Sequence, residues 1–248
     1  MCGRFTLTQD IQTVAGTIMS PRTVAIPSTL QVVPRYNIAP TQDVVTVMNN
    51  GSLHLDMLRW GLIPSWSKEE NIGSRMINAR AETLAEKPSF KRLLHSKRCL
   101  VVADGFYEWR QEPGTKSKTP MYITLKNNEP FAFAGLWDTW RNPDGQQIRT
   151  CTIITTEPNE LVATIHNRMP AILTPEAREI WLDPALHDEH ALLRLLAPYE
   201  SDEVAARPVS CLVNDPRSDY SGILGKDGQE ISNGNDSQPA KRRSPIQG

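Results

Sequence analysis

Six short runs rich in β-branched, aromatic and other apolar residues most constrain the fold of this chain. They lie at residues 44–48, 53–60, 99–103, 121–125, 131–137 and 149–155. Asn-Asn-Gly at 49–51, Asn-Asn at 127–128 and Asn-Pro-Asp-Gly at 142–145 fall between neighbouring runs. Such turn residues at such short spacing favour β-hairpins over long βαβ crossovers. The pattern predicts antiparallel strands through the middle of the chain.

Helical patterns are short and flank these runs. We predict helices at 8–15, at 83–94 with an interruption at Pro88, at 159–165, at 174–182 and at 187–196. Thr174 followed by Pro175 is a typical start, because threonine caps the first turn and proline fits the first helical position. Beyond Tyr220 the composition turns to Gly, Asp, Asn, Ser, Pro and Gln. We expect one folded domain over residues 2–220 and a disordered tail over 221–248.

Charge excludes some functions and suggests others. The 248 residues carry a net charge of -1, which argues against a protein that holds nucleic acid by bulk charge alone. Residues 73–100 nevertheless hold seven Lys/Arg against two acids, and residues 176–203 hold eight acids against two Arg. These segments predict a basic and an acidic side, or two solvated helix faces. With no long apolar run and no signal-like N-terminus, we expect no membrane span and a cytosolic protein, or a nuclear one in a eukaryote.

Four cysteines are too far apart for a zinc-finger spacing, so we expect neither structural zinc nor a disulfide framework. Cys99, Cys151 and Cys211 have the sequence surroundings of small buried hydrophobes. Cys2 differs, because removal of Met1 would leave a thiol and an α-amine on adjacent carbons. Such a group condenses with an aldehyde to an imine and then a thiazolidine, or acts as an acyl-transfer nucleophile. Cys2 taken alone does not exclude the alternative that a cysteine follows the initiator methionine by chance.

Four other polar residues stand in apolar or sharply defined surroundings. Glu108 lies between aromatics, which predicts a partly desolvated carboxylate of raised pKa, unless it points to water. His166 precedes an arginine and a proline and is a candidate general acid. The alternative is a histidine that is hydrogen-bonded within the fold and has a structural role only. Asn78 and Asn37 can both donate and accept hydrogen bonds, or simply occupy turns.

Taken together, these residues carry a resemblance to a known family. The motifs are Met-Cys-Gly-Arg-Phe at 1–5, Arg-Tyr-Asn-Ile-Ala-Pro at 35–40, Trp-Gly-Leu-Ile-Pro at 60–64, Ile-Asn-Ala-Arg-Ala-Glu-Thr at 77–83, Arg-Cys-Leu at 98–100, Gly-Phe-Tyr-Glu-Trp at 105–109, Ile-His-Asn-Arg-Met-Pro at 165–170 and Pro-Val-Ser at 208–210. From Cys2 to about Val213 the chain resembles the SRAP family, the SOS-response-associated peptidases or abasic-site processing proteins.

The resemblance implies an α+β fold: a single domain on a curved antiparallel sheet or distorted β-barrel, with short peripheral helices. It implies a covalent thiazolidine crosslink between Cys2 and a ring-opened abasic site in single-stranded DNA. Asn78 would orient the amine or the sugar, Glu108 would shuttle protons, and His166 would protonate the sugar oxygen. Family membership also implies a peptidase activity that removes Met1, and a slow reversal of the crosslink through Glu108 and His166.

The resemblance also implies contacts to the DNA strand. The residues at matching positions are Arg4, Asn37, Pro40, Trp66, Arg80 and Arg168. Cations hold a phosphate backbone, while an aromatic or a proline stacks on bases without reading sequence. We therefore expect single-stranded DNA with abasic sites as the partner, a monomer, no cofactor and no metal. When bound to DNA the protein would lie at the nucleoid, or in the nucleus of a eukaryote.

Two departures and two alternatives accompany this interpretation. Ser67-Lys68 stands where some relatives have a second aromatic after Trp66. Lys87-Pro88 interrupts the basic segment, so the DNA contacts of the family in that segment are not carried over to this chain. An N-terminal-nucleophile glutamine amidotransferase also begins Met-Cys-Gly, but it continues differently after Gly3. A non-covalent single-stranded DNA-binding module would explain Arg80, Arg168 and Trp66 but would leave Cys2 idle.

Overall fold

A computed structural model describes residues 2–225 of the chain. Within that range the strands are β1 (Phe5–Leu7), β2 (Arg35–Ile38), β3 (Asp43–Asn49), β4 (Leu53–Trp60), β5 (Asn78–Arg80), β6 (Arg98–Ala103), β7 (Gly105–Gln111), β8 (Lys118–Leu125), β9 (Phe131–Arg141), β10 (Gln147–Thr156), β11 (Met169–Pro170), β12 (Ile172–Leu173) and β13 (Val204–Pro208). The α-helices are α1 (Ile11–Ile18), α2 (Pro88–Ser96), α3 (Glu160–Ala163), α4 (Pro175–Trp181) and α5 (Glu189–Arg194). This is an α+β fold with peripheral helices, as predicted.

Five strands close into a barrel in the order β10-β4-β3-β6-β9, with β9 pairing back to β10. All of these pairs are antiparallel except β10 with β4, which is parallel. Strand β4 alternates buried and partly exposed residues, as closure of a sheet around a core requires, whereas β6 and most of β9 are buried along their length and read as nearly continuous apolar runs. The expectation of a distorted β-barrel is confirmed.

Two of the three predicted hairpin turns join paired strands. Asn49 pairs with Leu53 across the β3–β4 turn, and Arg141 pairs with Gln147 across the β9–β10 turn. The turn at 127–128 does not form a hairpin, since β8 and β9 belong to different sheets. There Asn128 adopts a left-handed conformation at φ 57°, which asparagine tolerates better than most residues, and the chain crosses between sheets. The local turn signal was right, but the hairpin was wrong.

A second sheet, in the order β13-β8-β7-β1-β2, packs against the barrel. Its N-terminal strand β1 joins the two, because Phe5 pairs with Phe106 of β7 and its ring lies 5.2 Å from Trp60 and 5.8 Å from Phe133 in edge contacts. Phe5 is fully buried. Burial of an aromatic of this size anchors the start of the chain inside the core.

The predicted helices all form, each somewhat displaced or shortened. Asp10 caps α1 and Thr174 caps α4 by accepting backbone N–H groups, which explains where both begin. Helix α2 of the basic segment and helix α5 of the acidic segment lie beside each other, with His95 Nε2 3.6 Å from Glu189 Oε2. The two charged segments therefore adjoin.

The chain packs onto the second sheet as far as its last described residues. The segment Ser221–Leu224 forms a 3₁₀ turn, and Ile223 is fully buried. These residues lie within the predicted tail, and the remainder of that tail, 226–248, lies outside the described residues. Cys99 and Cys151 are fully buried as expected, but Cys211 is exposed because it lies in a surface 3₁₀ turn. No helix in the described part is long and apolar enough to cross a membrane.

Candidate active site

The strand pairing of β1 brings the start of the chain next to Glu108. Thr6 pairs with Gly105 and Phe5 with Phe106, and the Tyr107 N–H donates to the Arg4 carbonyl at 3.0 Å. Continued in the same antiparallel register, Glu108 lies opposite residue 3, next to Cys2. Both side chains are buried, with Cys2 fully inaccessible and Glu108 2% exposed.

Electrostatic coupling links these two residues to His166. Burial raises the pKa of the Cys2 thiol, and the neighbouring Glu108 carboxylate raises it further. Burial also raises the pKa of Glu108, while the charge of His166 acts in the opposite direction. The thiol is thus held neutral, and the carboxyl is shifted toward the pH range in which it exchanges protons.

The carboxyl end of β10 gathers the other predicted site residues. Asn78 pairs with Ile153 of β10, and Arg80 pairs with Thr155. On the opposite edge, β11 pairs with the same strand end, which places His166 and Arg168 nearby. One barrel strand therefore positions residues that lie about 90 positions apart in the chain.

Asn78 and His166 lie on opposite sides of the end of β10. Asn78 Nδ2 donates to the Ile77 carbonyl at 3.1 Å, but its buried Oδ1 has no hydrogen-bond partner within the described part of the chain. An unused buried acceptor is costly, so Oδ1 is a candidate acceptor for a donor on a ligand. His166 Nδ1 lies 3.1 Å from the Arg168 backbone nitrogen and 3.3 Å from the Arg168 carbonyl oxygen, so the ring is held against the Arg168 backbone.

A cleft of about 590 Å³ opens beside His166. It is lined by Arg80, Glu82, Thr83, His166, Asn167 and Arg168. Arg80 is exposed, whereas Arg168 is engaged: its Nη1 and Nη2 donate to the two Glu82 carboxylate oxygens at 2.6 and 3.0 Å. Nη2 also donates to the Thr155 carbonyl at 2.6 Å. The cleft thus holds an exposed cation beside a paired one.

Arg4 and Asn37, two predicted DNA contacts, bond to each other and to the C-terminal segment. Arg4 Nη1 donates to Asn37 Oδ1 at 2.9 Å and to the Val213 carbonyl at 2.7 Å. Asn37 is fully buried, and its Nδ2 donates to the carbonyls of Asp215 and Ser218 at 3.0 and 2.8 Å. In the protein without DNA these side chains fasten the N-terminus to the C-terminal segment; their contact with DNA stays a prediction.

Pro40 and Trp66, the remaining predicted contacts, lie on the turns after β2 and β4. Because Phe5 pairs with Ile38, the same antiparallel register carried on places Pro40 opposite residue 3, next to Cys2. Pro40 is half-buried between β2 and β3 and precedes Thr41, whose φ of 72° is left-handed. Trp66 is 62% exposed on the turn after β4. An indole so accessible is available to stack on a base.

Two functional neighbours were not predicted from the sequence. Glu82 pairs with Arg168, and its place within the motif at 77–83 was the available signal. Asp138 is 1% exposed and accepts from the Ser65 N–H at 2.8 Å next to Trp66. In the sequence, Asp138 is marked only by being a single carboxylate within the largely apolar strand β9.

The described residues contain no group of three or more His, Cys, Asp or Glu that could hold a metal ion. The candidate site offers a thiol, a carboxyl, an imidazole, an amide and two guanidinium groups. This set suits nucleophilic and acid–base chemistry on an anionic ligand.

Fold and site together define a class: a β-barrel protein with a second sheet that seats a buried cysteine, the second residue, beside a buried carboxyl and a histidine. The family model described as SOS response associated peptidase (SRAP) matches residues 1–216. This chain belongs to that family.

Relatives agree with this assignment. The chain is 50% identical over 226 residues to the abasic site processing protein YoqW of Bacillus subtilis, with 90% of this chain and 99% of the relative covered. It is 36% identical over 217 residues to the abasic site processing protein HMCES of Gallus gallus, with 75% of this chain and 64% of the relative covered. The recognised resemblance is confirmed at the level of the family.

Solved structures agree on the fold. A protein from Bacteroides thetaiotaomicron, 31% identical, superposes with a TM-score of 0.77 over 87% of this chain and 97% of its own. A phage-related protein from Bordetella bronchiseptica, 30% identical, gives a TM-score of 0.64 over 84% of this chain and 94% of its own. The barrel and its second sheet are therefore a shared architecture.

Proposed function

We propose that this chain processes abasic sites in single-stranded DNA and that it does so by linking Cys2 covalently to the lesion. Two curated relatives are named abasic site processing proteins. The observation that carries the covalent step is the electrostatic coupling of buried Cys2, Glu108 and His166, next to a cleft that holds two arginines. Arginines attract a phosphate backbone, and a thiol with an adjacent amine captures an aldehyde.

Removal of Met1 is the first step of the proposed sequence. The Cys2 thiol attacks the Met1 carbonyl carbon, and the peptide C–N bond breaks to give a thioester and the free Cys2 α-amine. Water then hydrolyses the thioester, which releases methionine and restores the thiol. That amine has an ordinary pKa of about 7.7–8.0, so part of it is unprotonated near neutral pH. This step is the peptidase activity that the family description names.

Crosslinking then joins both Cys2 groups to one carbon. The amine attacks C1′ of the ring-opened sugar, and loss of one water gives an imine. The thiol adds across the C=N bond, sulfur bonding to carbon and the thiol proton passing to nitrogen, and the thiazolidine ring closes. Overall one water is released, and no oxidant or reductant is consumed.

The surroundings of each group support its part in this order. Burial keeps the thiol neutral, which favours attack by the amine first. Glu108, with its raised pKa, delivers a proton to the departing water and takes one from the thiol. His166 protonates the sugar oxygen during ring opening, and Asn78 Oδ1 accepts from the amine or from a sugar hydroxyl.

The decisive experiment incubates the purified chain with a single-stranded oligonucleotide that carries one abasic site. We expect a denaturant-stable adduct by gel and intact mass, with Met1 absent from the protein. Cys2→Ala removes the nucleophile and abolishes the adduct, whereas Cys211→Ala, which removes an exposed thiol, leaves it intact. An adduct that persists in Cys2→Ala, or in a protein that keeps Met1, contradicts the mechanism. Binding without any adduct supports the non-covalent module.

A further inference from the structure

An exposed tryptophan stands on a firmly held turn outside the Cys2 cluster. The turn spans residues 64–67 and closes through the Ser67 N–H, which donates to the Pro64 carbonyl at 2.8 Å. Trp140 Nε1 donates to the Ser67 carbonyl at 2.7 Å, so β9 holds its far end. Yet Trp66 itself is 62% exposed. Since large aromatics are usually well buried, a rigid mount for an exposed indole points to a ligand.

A buried carboxylate beneath this turn organises the surrounding cations. Asp138 Oδ2 accepts the Ser65 N–H at 2.8 Å, and Oδ1 accepts from Lys97 Nζ at 2.6 Å. Burial disfavours the ionised form, but Lys97 and two backbone N–H groups outweigh burial and hold the pKa of Asp138 below its ordinary value. Asp138 is therefore a fixed anion at the base of the turn.

Arg92 of α2 reaches the same point from the other side. Its Nη2 donates to Ser65 Oγ at 3.0 Å and lies 3.5 Å from Asp138 Oδ2. The side chain is 65% exposed, so most of the guanidinium stays open to solvent. The Arg92 guanidinium thus bonds to Ser65, the residue before Trp66. An indole that can stack on a base and a guanidinium that can bind a phosphate are the combination that single-stranded nucleic acid needs.

The turn lies along the same strand as the cleft. The Ile63 N–H donates to Thr150 Oγ1 at 2.8 Å, and Arg80 pairs with Thr155 of the same strand, β10. Five residues of strand span about 17 Å at roughly 3.3–3.4 Å per residue. A strand whose abasic site lies near the cleft would reach Trp66 with a flanking nucleotide.

We propose that Asp138 is a positioning residue that holds the Trp66 indole and the Arg92 guanidinium together as one nucleotide-binding surface. This surface takes a base and its phosphate from the strand that flanks the lesion. The inference rests on the proposed function only in assuming that the ligand is a DNA strand. Ser65 N–H and Lys97 bond to different oxygens of Asp138, so with asparagine at 138 one of these two donors faces an N–H₂ group instead of an acceptor.

The test measures binding of an undamaged single-stranded oligonucleotide by fluorescence anisotropy, which involves no crosslink. Failure of the proposed covalent chemistry therefore leaves this test intact. We expect Trp66→Ala and Asp138→Asn each to raise Kd by about fivefold or more, as loss of one stacked base does. In the double variant Kd rises by less than the product of the two single effects, because Asp138 acts partly through the turn that carries Trp66 and partly through Arg92.

Thermal unfolding separates positioning from a general structural effect. Asp138→Asn lowers the unfolding temperature equally in both backgrounds, whereas its effect on Kd is smaller without Trp66. If the Kd effect persists in full in the Trp66→Ala background, or if Kd does not change, the proposal is overturned.

A second variant avoids any folding defect. Arg92→Gln alters an exposed side chain and lowers the dependence of log K on log salt by about 0.7, one phosphate contact on a single strand. Arg194→Gln, an equal charge change on exposed α5, leaves Kd and the slope unchanged. An unchanged slope in Arg92→Gln removes Arg92 from the surface.

Discussion

At the scale of single residues, burial of Glu108 gives it a pKa suited to proton transfer but lowers the free energy of unfolding at neutral pH. Its pKa is raised by burial, so the unfolded chain releases this proton at lower pH than the folded chain. The stability that the group provides is complete below the ordinary glutamate pKa of about 4.3 and is lost as pH rises through the raised value. Above the ordinary glutamate pKa, the raised pKa of Glu108 is therefore a cost to the fold.

Glu108→Gln should therefore separate the two roles. We expect crosslinking to slow by roughly 10²–10⁴, the usual effect of removing a positioned acid–base group. The same variant should unfold at a higher temperature than the wild type at pH 7, and the difference should vanish below about pH 4. Single-turnover kinetics and thermal unfolding at both pH values measure these effects. A rate within a few-fold of the wild type excludes the proton-transfer role.

Glu82 occupies the Arg168 guanidinium in the bidentate manner in which a phosphate would bind. The hydrogen bond from Arg168 keeps the pKa of Glu82 below its ordinary value, so the carboxylate is ionised at neutral pH. DNA must compete with this carboxylate for Arg168. Glu82→Gln leaves one acceptor oxygen and removes a negative charge from the cleft.

We expect Glu82→Gln to bind undamaged single-stranded DNA severalfold more tightly at low salt, with the gain shrinking as salt increases. Glu86→Gln makes the same charge change four residues away and should have a smaller effect. Anisotropy titrations at two salt concentrations measure this. Weaker binding by Glu82→Gln would instead mean that Glu82 serves to hold Arg168 in place.

At the scale of elements, the strands of the barrel could be predicted from the sequence, whereas in the second sheet only β8 could. Strands β3, β6 and β9 contain long apolar runs, β4 alternates apolar and polar residues, and local turn residues join β3 to β4 and β9 to β10. Strands β1, β2 and β13 have three to five residues and find their partners far away in the chain, as Phe5 does with Phe106. Pairing at such separation leaves no local signal.

The same distinction applies to the site. Cys2, Asn78, Glu108 and His166 could be selected from the sequence because each stands in unusual local surroundings or in a family motif. Glu82 and Asp138 could not be assigned roles, because their significance lies in partners 86 and 73 residues away. Arg4 and Asn37 were selected because they belong to family motifs, but the motifs do not reveal that both side chains form their hydrogen bonds within the protein.

Gly105, the first residue of the strand that carries Glu108, leaves room for the Tyr122 ring of the neighbouring strand β8. A Cβ added at Gly105 would lie 2.3 Å from atoms of the buried Tyr122 ring. We expect Gly105→Ala to destabilise the fold by about 1–3 kcal/mol through overpacking. Gly16→Ala is the matched control, since a Cβ in α1 meets nothing within 4 Å and should be neutral or stabilising by about 0.4–1 kcal/mol. Denaturant unfolding of both variants measures the difference, and equal stabilities would contradict the close approach.

At the scale of the whole molecule, the last described residues fasten the first ones. Carbonyls of Val213 and Asn214 accept from Arg4, two residues from Cys2. The Asp219 carboxylate accepts the N–H groups of Tyr36 and Asn37 and pairs with Arg35. The side chains of Val213 and Ile223 are fully buried against Tyr107 and Tyr122. The C-terminal segment is therefore part of the frame that sets the position of Cys2.

A chain that ends at residue 209 should lose both stability and crosslinking. Removing Val213 and Ile223 from the core forfeits roughly 1.5–3 kcal/mol each, or about 10 °C of unfolding temperature for a chain of this size. Crosslinking slows because Arg4 loses two of its acceptors and the start of β1 loses its tether. A chain that ends at Gly225 keeps every one of these contacts and serves as the control. If the chain ending at residue 209 crosslinks as fast as that control below its own unfolding transition, the segment stabilises the fold without positioning Cys2.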